Sequence, residues 1–222
     1  ETTGQSFKIM TITINGNGTV TGISAGGLPD NIITNAEMAD DSVGIADLSA
    51  TGTASSSTYL RGDNSWATVT AGLTEADQWR MTADATGGAD PITSNWERND
   101  TYSDKVGTGM SESSGIFTFP STGIWLVDAR CGGRINGDVS LIYCGIKFTA
   151  NNSSYSPIAI GYGSIYRSSG TYYGGAQAIQ LVDITDTANR KVSINFSGTN
   201  FIVEGNSGLQ ISGVTFLKLG DT

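Results

Sequence analysis

The stretch Gly115-Ile116-Phe117-Thr118-Phe119-Pro120-Ser121-Thr122-Gly123-Ile124-Trp125-Leu126-Val127 decides how this chain is read. Residues 115–120 carry the two-residue period of a strand with one buried face, then meet a breaker. Pro120 cannot donate to a sheet ladder and ends that strand. Gly123 permits a reversal, after which Trp125 and Val127 face one side of the next strand. The reading is strand, turn, strand, with large apolar groups aimed at one core.

Working outward, the same texture fills the C-terminal two thirds. Candidate strands are Trp79 to Met81, Ile92 to Trp96, Gly123 to Cys131, Val139 to Phe148, Pro157 to Tyr166, Tyr172 to Ile184, Lys191 to Phe196, Phe201 to Glu204 and Leu209 to Leu219. Gly, Asn and Ser separate them, which is the punctuation of antiparallel strands and tight turns. The expected class is all-β, a sandwich over residues 72–222. The 30 glycines and the 38 % hydrophobic content agree, since that content supplies a core for a segment of about 150 residues.

Residues 1–71 read differently. Ile12 to Ile14 and Val20 to Ile23 are short β-like runs joined by Asn15-Gly16-Asn17-Gly18, a strong hairpin signal because Asn and Gly tolerate positive φ. Gly26-Gly27-Leu28-Pro29-Asp30 follows as a loop, residues 35–48 suit one or two short helical turns, and residues 49–57 are low-complexity linker. A hairpin and a few turns cannot bury their own apolar groups. This third is therefore expected to be disordered, to lie on a larger partner, or to wind with identical copies. Ile12, Ile14, Val20, Ile23 and Leu28 are its candidate attachment residues.

Two segments of the C-terminal part resemble a known family. The stretch 115–127 is similar to the Gly-x-Tyr/Phe-Thr-x-Pro-x-x-Gly-x-Tyr-x-Phe/Val pattern of complement-type and tumour-necrosis-factor-like globular heads. The ending Leu209-Gln210-Ile211-Ser212-Gly213-Val214-Thr215-Phe216-Leu217-Lys218-Leu219 resembles their last strand. Ala178-Ile179-Gln180-Leu181-Val182-Asp183-Ile184 departs from the family, lacking its Gly-Asp. The resemblance implies a jelly roll of about ten strands that assembles as a homotrimer. The order Thr11 to Ser24, then Gly26 to Asp30, then Tyr59-Leu60-Arg61-Gly62-Asp63-Asn64-Ser65-Trp66-Ala67 is similar to openings and tip linkers of tailed-bacteriophage fibres. That resemblance implies a virion location, with other virion proteins gripped through residues 1–71. Tail fibre and capsid head fibre or decoration protein both stay open, and a secreted jelly-roll binding module is the reading from another class.

Charge and residue chemistry limit function. The formal net charge is −9 and the pI is 4.3, with no tight basic cluster, so no nucleic-acid partner and no membrane insertion are expected. Residues 1–4 do not read as a signal peptide, and Met10 is a candidate native start. Histidine is absent, which removes the usual general base and the commonest metal ligand. The acidic pairs Asp84 with Asp90, Asp100 with Asp104 and Asp183 with Asp186 sit in turn-like contexts where Asp caps backbone. No enzyme and no cofactor are expected, and calcium at Asp183, Thr185 and Asp186, or at Asn151-Asn152, is outweighed by ordinary turn roles.

Arg61-Gly62-Asp63 is read as a β-turn before a packed Trp66 rather than an integrin ligand, and the Asn-x-Ser/Thr sequons at Asn17, Asn99, Asn151, Asn152 and Asn195 carry no weight. Cys131 and Cys144 flank the Asn136-Gly137 turn and are placed as diagonal neighbours on one sheet face. They are read as reduced, half-buried thiols, with a bridge left open. Tyr155, Tyr162, Tyr166, Tyr172 and Tyr173 fall close together among Gly, Ser and Asn. Tyrosine offers contact area at low entropic cost, so this cluster is either an inter-subunit seam or a surface for a host glycan or protein.

Overall fold

Alternation along the long strands settles which side chains meet in the core. The structure, a computed structural model, describes residues 13–14, 20–21, 44–69, 72–86, 89–102, 104–135, 139–166, 170–198 and 200–222. The chain divides into two compact units, Glu1–Val69 and Thr70–Thr222.

In the first unit, β1 (Thr13–Ile14) pairs antiparallel with β2 (Val20–Thr21) in the register Ile14 to Val20, as the Asn-Gly signal predicts. Ile12, Ile23 and Leu28 lie outside the described residues. Of the helical stretch expected over 35–48, residues 35–43 lie outside the described ones, and the described part holds a 3-10 turn at Ile45–Asp47. Asp47 accepts the Gly44 N–H at 2.8 Å and closes that turn. A second hairpin joins β3 (Thr58–Leu60) to β4 (Trp66–Thr68). Its turn is the Arg61-Gly62-Asp63 segment: Arg61 N–H donates to Ser65 O, and Asp63 Oδ1 accepts from Ser65 N and Oγ. Asn64 supplies the positive φ of 59° that the turn needs. No residue among 44–69 is buried.

The second unit holds β5 (Ala76–Met81), β6 (Ala85–Thr86), β7 (Trp96–Arg98), β8 (Ser111–Ser113), β9 (Ile116–Thr118), β10 (Gly123–Ile135), β11 (Val139–Thr149), β12 (Ser156–Ile165), β13 (Tyr173–Ile184), β14 (Lys191–Gly198), β15 (Phe201–Val203) and β16 (Gly213–Gly220). All strand pairs within its two sheets are antiparallel. The first sheet is built on β10, flanked by β13 on one side and by β16 and β15 on the other. β5 and β7 extend it beyond β16, and β6 extends it beyond β15. The second sheet runs β12-β11-β14-β9-β8. Strands next to each other in sequence repeatedly switch sheets, which is the jelly-roll arrangement.

At Gly123 the backbone has φ 141°, and a Cβ would lie 2.5 Å from Gly220 O, so glycine is required where β10 begins. Trp125 and Val127 then point inward as predicted, both fully buried. They meet Phe117, Phe119 and Phe216, with ring centroids 5.1 to 6.0 Å apart in tilted or edge-on pairs. In the middle of β10 the core residues shrink to Ala129, Cys131, Ala176 and Ala178, and the sheets close in: Cys144 Sγ on β11 lies 3.2 Å from Ala129 O on β10.

That contact corrects the cysteine reading. β10 and β11 do not pair, although only residues 136–138 separate them, and the expected Asn136-Gly137 turn lies outside the described residues. Cys131 and Cys144 come from opposite sheets and meet across the core. They are buried rather than half-buried, and both are free thiols. The hydrogen-bonding neighbour Cys131 and burial together push the Cys144 thiol well above its ordinary value. Two further expectations also shift. Residues 92–95 are not strand: Ile92 turns into the core with its N–H on Ile194 O, and Asn95 takes φ 65°. The last strand starts at Gly213, because Asn206 Oδ1 holds the N–H groups of Gly208 and Leu209 in a turn.

One polar staple secures β5. Asp77, 3 % exposed, faces inward and receives Arg98 on both carboxylate oxygens, the Trp79 indole N–H at 3.0 Å and the Met110 N–H at 2.7 Å. The Arg98 guanidinium also lies 4.8 Å from the Trp79 ring centre.

Candidate interaction surfaces

The inward residues of the first sheet account for its core, so the opposite parity forms its outer face. Register aligns Leu181 of β13 with Leu126 of β10, Leu217 of β16 and Ala76 of β5, an apolar row four strands wide. Leu181 is 52 % exposed. The neighbouring row is Ile179, Asp128, Thr215 and Gln78, in which Gln78 donates to Thr215 at 3.0 Å. Ile179, like Leu181, is exposed. An apolar row this wide on an outer sheet face is a candidate interaction surface. A groove of about 200 Å³ adjoins it, lined by the apolar Phe148, Ile158, Leu181 and Val182 and by Gln180, Asp183 and Arg190.

The outer face turns a corner where β12 meets β13. These are the edge strands of opposite sheets, and they touch backbone to backbone. A Cβ on Gly161 would lie 2.5 Å from the Gln177 carbonyl carbon and nearer still to its oxygen. Gly163 faces the Gly175 carbonyl in the same way. Glycine at both positions lets the sandwich shut along this edge.

The five tyrosines singled out from the sequence separate here. Tyr162, Tyr166 and Tyr173 are exposed, on β12, just past it, and at the start of β13. Tyr155 is half-buried, and burial pushes its hydroxyl pKa up. Tyr172 is half-buried and packs on the core. Half-buried Tyr143 of β11 adjoins that group, its ring 5.9 Å from that of Tyr162 in an edge-to-face pair. Desolvation, and then the Tyr162 phenol, push the Tyr143 hydroxyl up.

Sequence reasoning missed Tyr143, Leu126, Ile179, Leu181 and Leu217. A signal for β13 existed, since apolar residues at both parities of 178–184 indicate a strand covered on both faces. The alignment of four leucine and alanine positions has no such signal.

The acidic candidates are committed to local partners. Asp186 accepts from Ala188 N, Asn189 N and Asn189 Nδ2, and the Asn189 side chain foremost holds its carboxyl below the usual value. Asp84 binds Arg134 and Gly205 N, Asp90 binds Lys147, and Asp100 binds Arg80. Asn151 Oδ1 caps Ser153 and Ser154. Among the described residues no group of three or more His, Cys, Asp or Glu could hold a metal ion. Of the sequons, Asn99 and Asn195 are buried.

The geometry defines a tumour-necrosis-factor-like jelly roll. Among solved structures it is similar to Eiger TNF from S. frugiperda, with a TM-score of 0.51 and 12 % identity over 68 % of this chain and 95 % of that one. Murine APRIL has a TM-score of 0.47 and 10 % identity over 65 % of this chain and 98 % of its own. No protein-family model matches the chain, and no curated protein matches it.

Proposed function

We propose that this protein is a homotrimeric virion fibre whose N-terminal unit docks on the particle and whose jelly-roll head binds a host surface. The observation that carries the self-association is the row Leu181, Leu126, Leu217 and Ala76, with Ile179 beside it. Leaving such a row in water forfeits roughly 25 cal/mol for each Å² of apolar area, and three copies recover it by packing these faces around a common axis through head-to-tail contacts. The segment 44–69 supports the same reading, because Ile45, Tyr59, Leu60 and Val69 are exposed and none of its residues is buried. Support for the virion comes from the similarity of residues 11–30 and 59–67 to fibre openings and tip linkers.

Two measurements test this. Light scattering on the full chain is expected to give three times the chain mass, and a monomer would overturn the assembly. Electron micrographs of virions labelled with antibody to residues 72–222 are expected to show label on the tail. Label on the capsid shell would instead assign a decoration role, and unlabelled particles would remove the virion reading.

A further inference from the structure

The outer face of the second sheet differs in chemistry from that of the first. Its core side carries Ile142, Cys144 and Ile146 of β11 and Val192, Ile194 and Phe196 of β14. Parity therefore puts Tyr143, Gly145 and Lys147 outward on β11, and Ser193, Asn195 and Ser197 outward on β14. Register places Asn195 beside Gly145, and Gly145 beside Ile160 of β12. The Tyr143 ring leans across Gly145, where its Cε1 would lie 2.5 Å from an added Cβ. Glycine there is what allows a tyrosine to lie along the sheet. Tyr162, opposite Tyr143, is 66 % exposed. Lys147, ion-paired with Asp90, borders the patch.

Asn195 is the anomaly in this patch. The residue is 8 % exposed, and its carboxamide oxygen is enclosed without any hydrogen-bond partner. Buried carboxamides nearly always find donors, and one without a protein partner is explained by strain, by ordered water or by a bound group. A group that satisfies Asn195 must donate a hydrogen bond. A protein partner docking an apolar anchor would leave the oxygen unpaired.

From these observations we infer that the Tyr143, Tyr162 and Asn195 patch is a binding site for a neutral saccharide. Tyr162 supplies the ring on which a sugar's C–H face packs, and the Tyr143 side chain shifts to admit a sugar hydroxyl that donates to Asn195 Oδ1. Ser197 and the Lys147–Asp90 pair offer further donors and acceptors at the rim. The chain's net charge of −9 disfavours an anionic glycan. The site deepens the host-binding reading and rests on it, while the outer face of the first sheet serves assembly.

The test is saturation-transfer NMR on the full-length protein with a panel of neutral trisaccharides built from glucose, galactose or N-acetylglucosamine. Binding in the range of roughly 1 mM per site is expected for at least one probe, a strength that three-fold presentation turns into useful avidity. Tyr162→Ala and Asn195→Ala are each expected to weaken it at least about 10-fold, and Tyr162→Phe to retain it. Asn195→Ala removes the orphan oxygen, so that variant is expected to melt no lower than the parent, which separates lost binding from lost fold. Transfer to no neutral probe, preference for an anionic oligosaccharide, or binding that survives both alanine variants would each overturn the site. A trimer that binds no saccharide sinks this inference alone, and a monomer that binds one sinks only the assembly.

Discussion

Replacing Gly161 by alanine probes the contact that closes the head. An alanine Cβ would sit 2.5 Å from the Gln177 carbonyl carbon, against about 3.5–4.0 Å for an unstrained carbon pair. The overlap exceeds 1 Å, and both partners are main chain within strands, so no side chain can swing aside. β12 must move off β13, loosening Ile158, Ala159 and Ile165, which pack against the core from β12. Overpacking costs about 1–3 kcal/mol, and a backbone-on-backbone clash belongs at the upper end, near 3 kcal/mol. For a unit of this size that is a fall of roughly 6–12 °C in Tm. Denaturant titration by tryptophan fluorescence, paired with calorimetry, measures both quantities. Gly220→Ala is the control, because a Cβ there meets nothing within 4 Å, and it is expected within about 0.5 kcal/mol of the parent. A Gly161→Ala loss below about 1 kcal/mol would refute the claim that this backbone contact shuts the sandwich.

Other perturbations address the remaining features. Leu181→Arg puts a charge in the exposed apolar row without touching the core, and light scattering is expected to show dissociation with an unchanged circular dichroism spectrum. Asp77→Ala strands the Arg98 guanidinium and frees the Trp79 and Met110 N–H groups, so denaturant titration is expected to show a loss of about 3 kcal/mol. The Asp77 side chain is 1 % exposed and that of Arg98 is 30 %, which puts the effect at the lower end of the range for broken buried pairs. Cys131 and Cys144 are expected to resist a thiol reagent in the native protein and to react fully in denaturant. Burial shields both sulfurs from the reagent, and the raised pKa of Cys144 further suppresses its thiolate, whereas the Cys144 hydrogen bond lowers that of Cys131, whose protection rests on burial alone; rapid native labelling would contradict the inter-sheet placement.

Much of this molecule follows from local pattern. The two-residue period marked most strands to within a few residues, because one buried face imposes it on any antiparallel sandwich. Trp125 and Val127 were identifiable as core in the same way. The Arg61-Gly62-Asp63 turn was legible too, since Asp and Asn have few other local roles at such a site. What period cannot reveal is which sheet a strand joins. Val139 to Phe148 follows Gly123 to Cys131 across an Asn-Gly turn, the sequence of a hairpin, yet the two strands face each other across the core. That switch moved Cys131 and Cys144 from one sheet face to opposite sheets.

The surfaces were still harder to see. Ala76, Leu126, Leu181 and Leu217 are far apart in the chain, and only strand register brings them into one row. Asn195 reads locally as a sequon, and its burial beside Gly145 without a partner for its oxygen is visible only in the folded sheet. The sequence by itself determined an all-β sandwich and the shared face of Trp125 and Val127. Tertiary structure alone decided the outer surfaces, because pairing between distant strands, rather than local propensity, sets which outward side chains become neighbours.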